Sequence, residues 1–532
     1  MIRIRQIKIP VEKDNFNYLK RKVSLTLKCQ EDDIKKISIS KKSLDARKKP
    51  TLFYIYEVDI DTKKEEYLLK KHKLNRDVFS TPNEEYIYPK IGNKKLENKP
   101  IIVGSGPAGL FCAYLLAELG YKPMIIERGE KIEERVKSVE EFWQTGLLNT
   151  NSNVQFGEGG AGTFSDGKLN TLVKDKNFRM KKVFEIFVAS GADKEILYIN
   201  NPHIGTDVLR KVIINLRKKI IDLGGEFHYQ TKLTNINIKE NKVTSIEINH
   251  KEIIDTNILV LAIGHSARDT FEMLNQKPLS LEPKSFAVGL RIQHPQELIN
   301  INQYGKNTKL LPPASYKLTY QTKEGRGVYS FCMCPGGYVV NASSEEKRLA
   351  INGMSYHDRS SLNANSAIVV TVSPKDYGTN ALDGLNFQRK LEEKAYALGN
   401  GKIPIQTIKD FHNPVENKKL GNINPIFKGD YQLSDLTKLF PSNITTSIKE
   451  ALPNFDKKIP GFNDDNAILA GVESRTSSPI RIPRSENLES HIKGIYPCGE
   501  GAGYAGGITT SAMDGLKVAE AIISTYQNLE NH

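Results

Sequence analysis

The chain has no run of about 18 apolar residues, the length a membrane-spanning helix needs, so a spanning helix is not expected. Five cysteines (Cys29, Cys112, Cys332, Cys334 and Cys498) are too few and too scattered over 532 residues for a disulfide scaffold. They match no iron–sulfur or haem spacing. Cys332 and Cys334 lack two further ligands at metal-site spacing, so no metal is expected. Residues 1–14 alternate polar and apolar like a strand and hold no signal-peptide core. With the thiol usage, this points to a reducing cytoplasm. No long internal repeat is present.

A length of 532 residues exceeds what one core supports, so two or three domains are expected. The net charge is +14, unevenly spread. Residues 1–99 carry 25 Lys/Arg against 15 Asp/Glu, a surplus of ten, which leaves four for the remainder. A basic surplus fits an acidic partner such as nucleic acid, or lysines on solvated faces. No nucleic-acid motif accompanies it, which favours solvated lysines.

Residues 1–95 read as a small basic α/β domain, with strands at 2–9, 36–40 and 51–60 and a helix at 16–27. Residues 80–99, polar with Pro and Gly, read as a linker. Then 101–127 reads IIVGSGPAGLFCAYLLAELGYKPMIIE. Gly104, Gly106 and Gly109 stand in G-x-G-x-x-G spacing between an apolar strand and a helix, and a second apolar run ends on Glu127, 23 residues after Gly104. Gly104 permits the turn, Gly106 lets a pyrophosphate approach bare backbone, and Gly109 lets helix and strand lie close. Pro107 and Ala108 open the helix, whose N-terminus suits phosphate. Glu127, followed by Arg128, is placed to accept from ribose hydroxyls. No second such motif follows a strand, so no dedicated nicotinamide domain is expected.

Further along, 154–171 holds five glycines between 157 and 167. An amphipathic helix is expected at 207–223 and a buried parallel strand in ILVLAIGHSA at 258–267. Residues 286–462 are strand-rich, with a helix near 386–398. The last segment repeats the strand, glycine turn and helix order in GIYPCGEGAGYAGGITTSAMDGLKVAEAIIS.

Three segments, 101–129, 258–266 and 494–515, resemble the glutathione-reductase-type FAD fold. The resemblance implies that the first binds the ADP half of FAD. Ala262-Ile263-Gly264 is similar to that fold's closing strand, and Gly499-Glu500 to the strand whose acid holds the ribityl chain. The helix after Gly506, Gly507 and Ile508 would face the flavin. Gly160, Ala161, Gly162 and Thr163 would wrap flavin or pyrophosphate. Leu233 is similar to the strand residue that meets adenine, and is equally a plain core leucine. Taken with 157–169, 285–295, 331–343 and 472–481, nearly the whole chain resembles a bacterial family of predicted FAD-dependent dehydrogenases, NAD(FAD)-utilizing dehydrogenase-like.

The expected architecture is α/β. A discontinuous Rossmann-like FAD-binding domain (100–280 and 465–532) encloses a strand-rich substrate domain (281–464), preceded by the N-terminal domain. The expected function is an FAD-dependent oxidoreductase with non-covalent FAD. A hydride would pass between flavin N5 and a small-molecule, anionic substrate, with NAD(P)H as a transient reductant. Catalytic candidates are Lys168, Cys334, Arg475 and Ser477. Lys168 is either a flavin-edge cation or a surface lysine. Cys332 and Cys334 are either small strand thiols or supply one active-site thiol. Arg291, Ser478 and Arg481 join Arg475 as anion-gripping candidates, against structural ion pairing. His265 is a proton donor or a capping histidine. The competing functions are an RNA-modifying flavoprotein and a non-enzymatic FAD sensor.

Overall fold

The computed structural model describes residues 1–171, 173–305, 310–414 and 419–529. Its first unit follows the order strand, helix, strand, strand, helix, strand: Ile2–Pro10, Phe16–Leu27, Ile34–Asp45, Phe53–Thr62, Glu65–Lys71 and Val78–Ser80. The sheet runs second, third, first, fourth, all antiparallel, as a split βαβ does. In the first strand Ile2 and Ile4 are buried, then Ile7 and Ile9, so the apolar parity switches. A register shift between Ile4 and Ile7 absorbs the extra residue and keeps all four isoleucines on the core face. Asn15 caps the long helix, its side-chain oxygen accepting from Tyr18 N at 2.9 Å. The second strand runs on to Asp45, five residues past the end expected at 40.

Residues 81–100 form no helix or strand, yet they do not hang free. Gly92 N and Lys94 N donate to the carbonyls of Ile523 and Thr525 at the end of the last helix. A Cβ on Gly92 would stand 2.3 Å from Thr525 C, so the contact admits only glycine.

The second body is a five-stranded parallel sheet in the order Ile495–Pro497, Leu259–Leu261, Ile101–Val103, Met124–Ile126, Glu226–His228. These strands are short and almost wholly buried, because helices cover one face and a three-stranded antiparallel sheet (233–255) the other. The helices Pro107–Glu118 and Ile508–Thr525 pack side by side. A Cβ on Gly515 would come 2.2 Å from Ala108 O, so both N-termini reach the same edge of the sheet.

The third body is a seven-stranded, largely antiparallel sheet in the order Thr319–Gln321, Gly327–Cys334, Asn363–Val372, Phe286–Pro295, Ile468–Glu473, Ile403–Thr407, Tyr431–Leu433. The strand Ile468–Glu473, outside a boundary drawn at 464, pairs with Phe286–Pro295 and Ile403–Thr407 and so completes this sheet. Besides the expected helix, here Asp383–Leu398, Gln296–Tyr304 and Ser442–Asp456 are helical. The last buries Ile444, Ile448, Ala451, Leu452 and Phe455, an i, i+4, i+7, i+8, i+11 stripe.

Candidate functional site

A cavity of about 380 Å³ lies where the C-terminal edge of the parallel sheet meets the seven-stranded sheet. Its first wall is bare main chain. Gly104 (φ +100°) crosses under the strand Leu259–Leu261 so closely that a Cβ would stand 2.4 Å from Ala262 O. A Cβ on Gly109 would stand 1.9 Å from Gly104 O, so this glycine packs the helix and does not line the cavity. Gly106 caps Pro107–Glu118 in an extended conformation open to any residue, and its Cβ would meet nothing nearer than Gly160 Cα at 3.8 Å. The space above it is therefore kept clear by choice of residue. The same holds at Gly506, where a Cβ would meet nothing within 4 Å; Gly264 (φ +69°) and Gly507 (φ +152°), which caps Ile508–Thr525, border equally clear space in backbone conformations that themselves favour glycine.

Two helix N-termini, 401 positions apart at Pro107 and Ile508, thus open onto one space. Each offers unpaired N–H groups and a positive dipole end. Pro107, Ala108, Gly160, Ala161, Gly162 and Ile508 complete this wall. Thr163 lies behind it, donating to Glu158 O. Gly499 also lies behind, held by Asp514 through its N–H at 2.8 Å.

Glu127 lines the cavity, but its carboxylate is already served. Oε2 accepts from Ser105 N (2.9 Å) and Ser105 Oγ (2.8 Å), and Oε1 from Gly129 N (2.9 Å) and Gly157 N (3.1 Å). Four donors match the roughly four lone-pair sites of a carboxylate, so Glu127 ties two glycine turns together. Beyond it stand Arg128, Phe156, Thr231, Lys232 and Leu233. Arg128 pairs with Asp269 at 2.7 Å and lies 4.4 Å over the Phe156 ring. The Glu500 carboxylate accepts from His265 Nδ1 at 3.0 Å. The His265 Nε2 atom is buried without a partner, and the residue lines the cavity.

The opposite wall is made of side chains from the seven-stranded sheet and its neighbours: Lys168, Phe331, Cys332, Asn352, Glu473 and Arg475. Here the expected anion-gripping arginines prove to be spoken for. Arg475 makes a bidentate pair with Glu392 (both 2.9 Å), and its third nitrogen donates to Ser344 and Ser266. Arg268, on the helix after Leu259–Leu261, pairs with the same Glu392 at 2.7 Å through two nitrogens. Burial alone would raise the Glu392 carboxyl, but Arg268 and Arg475 hold it well below the usual carboxylate range. Arg291 is fully buried behind the wall on Glu473 (2.9 Å), Asn365 (2.7 Å) and the Cys332 carbonyl (3.1 Å). Structural ion pairing, not ligand capture, accounts for both arginines. Ser477 does not line the cavity. Ser478 donates to the carbonyls of Ile480 and Gly501, and Arg481 is exposed beside Tyr504.

Lys168 does face the cavity, 3.2 Å from Asp166 and 3.9 Å from Cys334 Sγ. Against burial, Lys168 and Arg359 hold the Asp166 carboxyl below its ordinary range. Cys334 is buried behind; Cys332 is the one of the pair on the surface of the cavity. The residues that sequence reasoning did not single out are Asn352, Glu473 and Glu392. Asn352 and Glu392 sit in no motif, and Glu473 stands in the segment 472–481 beside the arginine that draws attention there.

The family models agree with this layout. Residues 102–155 match an NAD(P)-binding Rossmann-like domain, residues 285–476 match "FAD-dependent protein, C-terminal domain-like", and residues 1–61 match a domain of unknown function. A protein of Clostridium beijerinckii described as uncharacterized is 47% identical over 99% of both chains. Among solved structures, L-proline dehydrogenase from P. horikoshii (13% identity, TM-score 0.33, 81% of this chain and 94% of that one) and glycine oxidase from Bacillus cereus (14%, 0.32, 81% and 96%) align only loosely. Among the described residues no helix is long and apolar enough to cross a membrane. On these matches the chain belongs to one family with the Clostridium beijerinckii protein, and its residues 285–476 carry the C-terminal domain of FAD-dependent proteins behind a Rossmann-like dinucleotide-binding segment.

Proposed function

We propose that the cavity holds FAD without a covalent link and serves hydride transfer to or from a small, neutral substrate. The observation that carries this is the shared opening of two distant helix N-termini onto backbone that carries no Cβ. That cradle fits a dinucleotide: its diphosphate needs N–H donors and close main-chain approach, and a reduced isoalloxazine needs positive potential near N1. Gly104, Gly106, Pro107, Ala108 and Gly160 would hold the diphosphate. Arg128, Phe156 and Leu233 would bound the adenosine end, with Glu127 fixing the turns between. Gly506, Gly507 and Ile508 would face the ring, and Glu500 with His265 the chain between. When bound, FAD supplies a two-electron acceptor at its N5 atom.

The residues of the opposite wall then position the substrate and exclude water. Each cation there already has a carboxylate partner: Arg475 shares Glu392 with Arg268, Arg291 has Glu473, and Lys168 shares Asp166 with Arg359. An anionic substrate would have to break one of these pairs, so a neutral one fits better. Among the described residues there is one parallel sheet, so a nicotinamide reductant would have to enter the same cavity. The test is direct. The purified protein should be yellow, absorbing near roughly 450 nm as flavins do, and apo protein should take up one FAD per chain in a calorimeter. Folded, colourless protein that shows no heat of FAD binding would reject the proposal.

A further inference from the structure

The side-chain wall carries a group that cofactor binding does not use. In the strand Gly327–Cys334, Phe331 pairs with Ala367 and Cys334 with Asn365, so two residues stand against one. At this bulge Cys332 takes φ +43°, a left-handed conformation unusual outside glycine. A bulge re-aims a side chain, and here it turns Cys332, partly exposed, into the cavity while Cys334 stays buried behind it. The turn is held in place: Arg291 donates to the Cys332 carbonyl at 3.1 Å and to Asn352 at 3.2 Å. The Cys334 sulfur lies 3.3 Å from that carbonyl and 3.9 Å from Lys168 Nζ.

We propose that Cys332 is a catalytic thiolate of this site, with Cys334, whose S–H donates to the Cys332 carbonyl, packed behind it and Lys168 as the cation beside the pair. The assignment rests on the FAD reading above. The groups that face the two sulfurs are Lys168 and Arg291, which favour the thiolate, and Asp166 and Glu473, which oppose it. The Cys334 thiol outweighs burial and, with Lys168 and Arg291, holds the Cys332 thiol well below the ordinary range. The same contact pushes Cys334 up. Burial pushes up Cys112 and Cys498, and burial with Asp33 raises Cys29.

A thiolate in a site whose cations are paired suits a neutral alcohol or amine, a carbon bearing both C–H and O–H or N–H. The C–H bond breaks and its hydride, with the electron pair, is delivered to FAD. The O–H or N–H proton passes to the Cys332 sulfur, and the carbon–heteroatom double bond forms. The products are an aldehyde, ketone or imine, a Cys332 thiol and two-electron-reduced FAD.

The experiment is iodoacetamide alkylation across a pH series, read by peptide mass, on apo protein and on protein loaded with FAD. Cys332 should react ahead of the other four cysteines, with a midpoint below the roughly 8.5 of free cysteine. FAD should slow that reaction at least about tenfold. Cys334→Ala should raise the midpoint by about one unit, an approximately tenfold slower alkylation at pH 7; Lys168→Met should move it the same way, and serves if the alanine variant does not fold. Cys29→Ser should leave Cys332 unchanged. A Cys332 midpoint at or above that of free cysteine, a rate indifferent to bound FAD, or a Cys332–Cys334 disulfide in the purified protein would overturn the proposal. Failure to bind FAD at all would show in the calorimeter alone, and would fell the cofactor reading whatever the midpoint.

Discussion

The two walls of the cavity are built from different materials. The wall of the parallel-sheet body is main chain: glycines, two helix ends, and one carboxylate turned inward to hold the turns. The wall of the seven-stranded body is side chains: paired charges, a thiol, an amide and an aromatic ring. A backbone wall can recognise only what many cofactors share, negative charge and a flat or slender shape. A side-chain wall can select and react. The division follows from chain topology, because the first wall comes from turns at strand ends and the second from strands whose side chains alternate into the cavity.

This contrast can be broken from either side, and the largest effect lies between the walls. Glu392→Gln keeps the shape but leaves Arg475 buried without a counter-charge and Arg268 with Glu345 alone. A loss of about 3–5 kcal/mol is expected, read as a lower thermal midpoint; an unchanged melt would mean that water reaches the cluster. The seven-stranded body should also be acid-sensitive. His294 is fully buried, donates to Phe462 O at 2.7 Å, and is lowered by burial to about 4 from an ordinary 6.5. Because its folded pKa lies below the unfolded one, its contribution is fully present above about pH 6.5. It declines as the pH falls toward 4, by up to about 3 kcal/mol. His294→Gln should flatten the pH dependence of the melt over that window.

The backbone wall is tested by occupancy. Gly106→Val meets no clash and no backbone penalty in the empty protein, so it should fold normally while FAD affinity falls at least about a hundredfold, about 2.7 kcal/mol. Stoichiometric FAD in the purified variant would contradict the cradle. Gly506→Ala adds one methyl above the second helix end, where a Cβ has 4 Å of free space. A roughly tenfold weaker Kd, about 1.4 kcal/mol, is expected by titration calorimetry. Equal affinity would place the ligand away from that helix.

The backbone wall was largely legible in the sequence, since a phosphate turn needs glycine at fixed spacing and the strand, turn and helix are contiguous. The structure brings Gly104, Gly106, Gly264, Gly506 and Gly507 to one cavity for that reason. Glu127 shows the limit: spacing placed it at the wall, but not the four donors that occupy it. The other wall was not legible, because its members meet only after the sheet forms. Cys332 and Cys334 could be named as a pair, yet which one faces inward depends on a bulge set by pairing with Asn363–Val372. Arg475 looked free because Glu392, its partner, lies 83 residues away on a helix with no motif. The Ser442–Asp456 helix did carry its apolar stripe in the sequence, within a stretch dominated by strand-like patterning.

The knot of Arg268, Glu392 and Arg475 joins a helix of one body to a helix and strand end of the other. Prising the two bodies apart like jaws would strand Arg268 from both Glu392 and Glu345, a buried cation with neither partner nor, until water arrived, solvent. The enclosure is therefore a room with fixed walls.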